Sequence, residues 1–417
     1  MGEPDFSADL LRPPGGWRRT FASLRISNFR WFWISMTASS IAMNMQMIAR
    51  GWLVAEMTDS PLALGLVSSA FGAPLLIFSL FGGVIADRVK KKNLLIISQA
   101  GSLILALVIA ILIQIEIIAV WHLVAASLLV GVVFSFNMPA QQAIIPELVG
   151  EQSLMNAIAL NSAVMNLCRI AAPSLAGFLV GIIGVAGVYW IVTAFSLVAI
   201  FSLFTIRVTT TMAVRPAAPM RQDLMEGLRY VRHNQELVIL LVMAVIPVLF
   251  AMPYQMLMPI FARNVLEVGA SGYGLLMSMS GAGALVGSLG IASLGNFQRK
   301  GLLLLGFGII FGASQVFFAL SHSFPLSLFI LFVVGVGSTG IMALNNTLIQ
   351  INTPHEVRGR VMSLFMMTFG LMPLGTLPAG AIAEVVGVAP VVGVGGAVVF
   401  LSMVVIALTQ PKVRTMR

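Results

Sequence analysis

A helix needs about 20 apolar residues to cross the hydrocarbon core of a bilayer, and runs of that length, bounded by charges, Pro or Gly, recur twelve times along this chain. The first six lie near 30–55, 62–86, 94–115, 118–142, 154–181 and 184–206. The second six lie near 236–262, 271–294, 301–320, 325–350, 358–384 and 388–409. A transmembrane β-barrel would instead show segments of about ten residues alternating apolar and polar, and stretches such as Leu103 to Ile113 do not alternate. The pattern predicts membrane-spanning helices and no sheet.

Composition sharpens this. Of 417 residues, 59% are hydrophobic and 9% charged, with a mean hydropathy of +0.99, whereas a soluble chain carries roughly a quarter charged residues. A soluble enzyme is excluded. The net charge of +9 would suggest nucleic acid in a soluble chain, but in a membrane protein it marks cytoplasmic anchoring residues, so no nucleic-acid partner is expected. The single cysteine, Cys168, sits in an apolar run, which leaves no disulfide framework and no cysteine metal site. No metal or other cofactor is expected. The lack of a Gly-rich phosphate loop argues against ATP drive.

The polar stretches divide the chain. Residues 1–28 are basic (Arg12, Arg18, Arg19, Arg25), and the apolar run after them is longer than a signal-peptide core and lacks a small-x-small cleavage site, so it is expected to be retained. The only long polar stretch between spans begins after Arg207, carries Pro216 and Pro219, and ends in a basic amphipathic helix over Asp223–His233. The expected organisation is a terminal segment 1–28, a helical half 29–207, a linker 208–235, a second half 236–410 and a tail 411–417. With the N-terminus inside, 21 of the 24 Lys and Arg fall on inside segments, which predicts both termini in the cytoplasm. The exceptions are Arg50, Arg169 and Arg263, within or at the ends of spans.

The halves are similar to each other. A shift of 209 places Gly65 on Gly274, Lys91 on Lys300 and Gln46 on Gln255; a shift of 204 places Met138 on Met342, Gln141 on Asn345 and Gln142 on Asn346. Both halves start inside, so such a duplication is parallel, about an axis along the membrane normal.

At the inside end of span 2 stands Gly82-Gly83-Val84-Ile85-Ala86-Asp87-Arg88-Val89-Lys90-Lys91-Lys92. Basic residues alone would serve as a stop signal, but an Asp-Arg pair after two glycines is not needed for that. The stretch resembles the loop 2-3 signature of the major facilitator superfamily, G-x-x-x-D-R-x-G-R-R, with Lys90 in the place of a Gly. Three further stretches are similar to the enterobactin-exporter-like and macrolide-efflux-like branch of that superfamily. They are Ala49-Arg50-Gly51-Trp52-Leu53-Val54 with Thr58 to Gly65, Pro139 to Ala157 with Arg169 and Ala172 to Gly177, and Pro259 to Leu266 leading to Gly272 and Gly274. The resemblance runs from about residue 20 to 410. It implies an all-α membrane protein of twelve transmembrane helices in two six-helix bundles related by a parallel repeat, in the inner membrane, exporting a small molecule by alternating access, commonly driven by the proton gradient. A monomer is expected.

The resemblance also implies roles. Gly83, Asp87 and Arg88 would form a gating latch with the start of span 11, where Arg358 and Arg360 stand, because unpaired helix N–H groups and the helix dipole favour an anion there. Spans 1, 4, 7 and 10 would line the pathway. Their polar and sulfur-bearing candidates are Asn44, Gln46, Met47, Asn137, Met138, Gln141, Tyr254, Gln255, Met258, Met342, Asn345 and Asn346; each is either a cargo contact or helix packing. Pro173 and Gly177 on span 5 resemble an antiporter signature, or serve close helix packing alone.

Charges inside the membrane cost about 2.5–3.5 kcal/mol on insertion scales and mark functional positions. Arg50, near the outer end of span 1, either faces the pathway or snorkels to the headgroups. Arg169 lies mid-span, where water is expected to be out of reach, with Asn161 and Asn166 on its helix. No acid is mid-span; for proton coupling the candidates are Glu56, paired with Arg50, or Glu384. With 25 Met and 26 Phe, an adaptable apolar cavity suits a lipophilic or amphipathic cargo of drug or siderophore class. The alternatives are a lipid or lysolipid carrier of flippase type and a non-transporting scaffold. A membrane-embedded enzyme is disfavoured because the four histidines are scattered.

Overall fold

The computed structural model describes the backbone of residues 21–88, 90–207, 220–294 and 297–416, and their side chains except at 22, 79–88, 151–152 and 220–224. A short 3-10 turn, Ala22–Arg25, leads into α1 (Ser27–Thr58), α2 (Pro61–Arg88) and α3 (Lys91–Gln114). A helical run of 86 residues, Val120–Thr205, follows. As one rod it would be roughly 130 Å long at about 1.5 Å per residue, over four times the ~30 Å of hydrocarbon. It is broken at Gly150 (φ 67°) and Gly184 (φ 70°), left-handed positions that glycine adopts without a Cβ penalty. We therefore name α4 (120–149), α5 (151–183) and α6 (185–205).

The linker helix α7 (Met220–His233) precedes α8 (Gln235–Val265), whose start is capped by Asn234: its Oδ1 accepts from Glu236 N at 3.1 Å and Leu237 N at 3.3 Å. Then come α9 (Ala270–Ser293), α10 (Lys300–Ala319), α11 (Phe324–Ile351), α12 (His355–Val386), α13 (Val388–Thr409) and the short α14 (Pro411–Thr415). Ten helices among the described residues are long and apolar enough to cross a membrane, with Ser153–Thr205 taken as one. The 32-residue α1 is not among them: Asn28, Arg30, Asn44, Gln46 and Arg50 dilute its apolar content.

Apolar side chains cover the outside as well as the core. On α3, Ile97, Ile104 and Ile111 recur every seven residues and are exposed, the arrangement that lipid, rather than water, tolerates. The larger core joins Met45 and Ile48 of α1 to Tyr189 of α6, Leu257 of α8 and Phe311 of α10. A second cluster packs Phe29, Phe32 and Met36 against Leu95, Ile144 and Leu203.

Three local features add to this organisation. Between the fourth and fifth apolar runs the helix continues through Pro146 to 149, with Ile144, Ile145, Leu148 and Val149 buried in the second cluster, and Gly150 interrupts it. The linker helix packs against the helices around it. Val231 is buried, and Gly227 packs against Arg360, whose Nη1 lies 2.8 Å from Glu226 Oε1. Residues 411–415 are helical, with Val413 buried and Met416 O accepting from Gly301 N at 3.2 Å.

Candidate functional site

Residues before 208 meet residues after 234 along a seam whose hydrogen bonds gather near the links at 59–60, 266–269 and 387. Arg263 Nη1 donates to Ala55 O at 2.7 Å, at the carbonyl end of α1. Asn264 Nδ2 donates to both Asp59 oxygens, at 3.0 and 3.1 Å. Glu384 Oε2 accepts from Ser60 Oγ at 2.7 Å and from Leu62 N at 3.1 Å, at the amide end of α2. The carbonyl end of α1 thus meets a cation and the amide end of α2 an anion, the charges that the helix dipoles favour there. Deeper in the seam, Ser69 and Thr376 share a 2.7 Å hydrogen bond, and Ser174 Oγ donates to Ser278 Oγ at 2.7 Å. Pro173 and Gly177 lie in this seam. A Cβ on Gly177 would stand 3.0 Å from Gly274 Cα, so α5 and α9 touch backbone to backbone.

Below the seam, the face of α1 carrying Met43, Met47, Arg50 and Val54 grades from exposed through half-buried to buried. Arg50 Nη1 donates to Ser127 Oγ of α4 at 3.0 Å, and the guanidinium lies within electrostatic reach of Tyr189 and Tyr273. It forms no ion pair with Glu56, which is exposed. Asn44 donates to Ser40 O within its own helix, and Gln46 is half-buried. On α4, Gln141 donates to the buried Asn137, and Met138 is exposed. On α5, Asn166 is half-buried and Asn161 Oδ1 is buried without a partner. Arg169 is not packed inside the protein: Leu160, Val164, Cys168 and Ala172 take the packed face of α5 and Arg169 lies on its exposed face.

The second half contributes a partly open cleft between α8, α10, α11 and α12, about 380 Å³ with its open mouth included. Met243, Met252, Met342, Phe311, Phe365 and Phe369 supply its apolar walls, with Ser338, Asn345 and Thr368 as polar points. Asn345 Nδ2 donates to Leu240 O at 2.9 Å, while its Oδ1 is buried and unpartnered. Asn346, half-buried, accepts from Gln350. Tyr254 and Met258 are wholly packed in the core, Tyr254 sharing a 3.1 Å hydrogen bond with Ser280, so in this conformation neither is open to a ligand. Gln255 is half-buried and shares no hydrogen bond with Gln46 among the described residues.

Of the latch residues, Gly83, Asp87 and Arg88 have side chains outside the described residues, although α2 continues to Arg88. Arg358 donates twice to Thr353 O, at 3.3 Å each, and Arg360 reaches the linker helix through Glu226. A neighbouring ion pair, Lys91–Glu147, ties α3 to α4.

The sequence matches the transmembrane secretion effector family, a branch of the major facilitator superfamily, over residues 18–417. The chain belongs to that family. Among curated relatives, the staphyloferrin A transporter of Staphylococcus aureus is 22% identical over 82% of this chain and 86% of its own. The multidrug efflux pump Tap of Mycolicibacterium fortuitum is 25% identical over 82% and 85%, and the enterobactin exporter EntS of Citrobacter koseri is 26% identical over 91% of both chains. In fold, the nucleoside transporter NupG superposes with a TM-score of 0.69 at 13% identity, covering 92% of this chain and 99% of that one. This secretion effector family member is accordingly a multi-pass membrane transporter of a small molecule and not an enzyme.

Sequence reasoning about this transporter missed the walls Met243, Phe311, Phe365, Thr368 and Phe369. The available signal was Phe365 and Phe369, one helical turn apart on span 11.

Proposed function

We propose that this transporter exports a small amphipathic or lipophilic molecule, of drug or siderophore class, by alternating access between two six-helix halves. The names of its relatives support export: they are a staphyloferrin A transporter, a multidrug efflux pump, a macrolide efflux protein and an enterobactin exporter. Twelve crossings follow if α1 is counted and Ser153–Thr205 is divided at Gly184. A parallel duplication is supported by left-handed backbone positions that recur: Asp59 and Glu267 are 208 apart, and Gly184 and Gly387 are 203 apart.

The observation that carries alternating access is the one-ended seam. Arg263, Asn264 and Glu384 close the end bearing the 59–60 link, while Met43, Met47 and Met342 are exposed below it. In this reading the structure is open to the cytoplasm, both termini are cytoplasmic in the inner membrane, and the Asp87 latch engages the start of α12 in the opposite state. Arg358 and Arg360 would then exchange their present partners for Asp87. The chain works as a monomer driven by proton entry, with Glu384, at the seam, a better placed proton carrier than Glu56.

Everted vesicles loaded by an imposed pH gradient test this. Uptake of rhodamine 6G that needs the protein and collapses with a protonophore is expected. Uptake indifferent to the gradient would remove proton drive, and no uptake over a panel of amphipathic dyes would remove export.

A further inference from the structure

We propose that Arg50, with Ser127, Tyr189 and Tyr273, is a carboxylate-binding subsite, so that the cargo carries an anionic group beside its apolar body; this rests on the export reading above. The guanidinium is always charged and offers five N–H donors in a planar fork. One hydrogen bond is visible, to Ser127 Oγ at 3.0 Å, and among the described residues no carboxylate stands within ion-pair reach. The groups shown to interact with it, Ser127, Tyr189 and Tyr273, are neutral. Tyr189 and Tyr273 are both nearly fully buried beside it, and a Cβ on the adjoining Gly51 would meet the Tyr273 hydroxyl at 3.1 Å.

A cation held in the membrane interior without a counter-ion is costly unless an anion comes to it. Snorkelling does not account for this one, since its hydrogen bond runs sideways to α4 and Val54, the next residue on the same helical face, is wholly buried. The approach is open from the other direction, where Met47 and Met43 continue the same face and are exposed. A planar fork selects carboxylate geometry bidentately. The hydroxyls of Ser127, Tyr189 and Tyr273 are packed in this conformation; opened toward the Met47 side, they would bond the remaining lone pairs without adding a competing negative charge. The subsite lies at the closed end of the exposed face, where an anion would bridge α1, α4, α6 and α9, helices drawn from both sides of the seam.

Trp52 stacks near Tyr273, ring centroids 6.4 Å apart, and so serves as a local reporter. Purified protein titrated with benzoate should show a saturable change in tryptophan fluorescence, absent with benzamide, the neutral isostere, and lost in Trp52→Phe. Benzoate affinity should fall about ten-fold or more in Arg50→Gln, as expected for losing a charge-assisted pair, recover in part in Arg50→Lys, and stay unchanged in Arg229→Gln on the exposed linker helix. Equal response to benzoate and benzamide, or unaltered benzoate binding by Arg50→Gln, overturns the assignment. Should Arg50→Gln not fold, Tyr273→Phe and Ser127→Ala must each lower the preference for benzoate over benzamide, and an unchanged preference overturns it equally. In vesicles, the ratio of rhodamine B, which bears a carboxylate, to its ester relative rhodamine 6G should drop about ten-fold in Arg50→Gln. If wild type moves both dyes and the ratio holds, the subsite fails while export stands. If it moves neither, export fails for these cargoes and the benzoate titration judges the subsite alone.

Discussion

Glu384 caps a helix in the other half of the chain: its Oε2 takes the backbone N–H of Leu62 at 3.1 Å, 322 residues away, together with the Ser60 hydroxyl. The carboxylate thereby satisfies one orphan donor in the first turn of α2, Leu62 N, and sits at the positive end of its dipole. Because Glu384 is exposed, the contact is worth about 1 kcal/mol at most. That is nonetheless enough to bias two conformations about five-fold. Glu384→Ala should therefore raise the rate at which an impermeant maleimide labels a cysteine at Ser69, buried deeper in the same seam, by about that factor. The measurement is made with Cys168 replaced by Ser, and an unchanged rate would show that Glu384 does not hold the seam.

Arg263 does the reverse job at the carbonyl end of α1. Arg263→Gln and Glu384→Ala touch different helix ends, so their effects on one opening equilibrium should multiply. The double variant is expected to label at about the product of the single increases, within a factor of two. A double variant no faster than either single one would mean that the two contacts break in separate motions.

Close contact between α5 and α9 depends on missing side chains. On Gly274, a Cβ would stand 3.0 Å from Gly177 Cα, and the obstacle is backbone rather than a movable side chain. Gly274→Val should hold the helices apart, leaving the protein folded in the membrane but shifted away from the closed seam, with transport reduced at least ten-fold, because a ~1.4 kcal/mol bias is tenfold in a two-state equilibrium and one bulky clash exceeds that. Full transport by Gly274→Val would separate this contact from the cycle.

These contacts explain which parts of the molecule could be read from the chain. Helices such as α3 and α13 announce themselves by uninterrupted apolar length, a local property. The role of Glu384 is not local, because nothing near residue 384 says that residue 62 will face it. Met258 and Tyr254 look like pathway residues by composition but are drawn into the core, where Leu257 and Phe261 flank them. Asn345 was recognisable as a polar residue in an apolar run. Its cavity was not, since Phe311, Phe365 and Met243 come from three other helices. Pro146 shows the limit of local punctuation: burial of Ile145 and Leu148 carries the helix past it.

Arg169 is the other charge that the sequence places within a span, and its exposure decides how to test it. A core residue could not be truncated without a packing loss, but an exposed side chain that makes no hydrogen bond or ion pair among the described residues should cost less than about 0.5 kcal/mol in stability. Arg169→Ala is therefore expected to reach the membrane at wild-type levels and to melt within a degree or two of wild type. If the exposed face of α5 borders the pathway, its transport should fall below a tenth of normal, since removing a charged contact costs about 1.5–3 kcal/mol. Near-normal transport would instead place Arg169 toward the lipid headgroups, with its aliphatic stem along the hydrocarbon and its charge drawn to the interface.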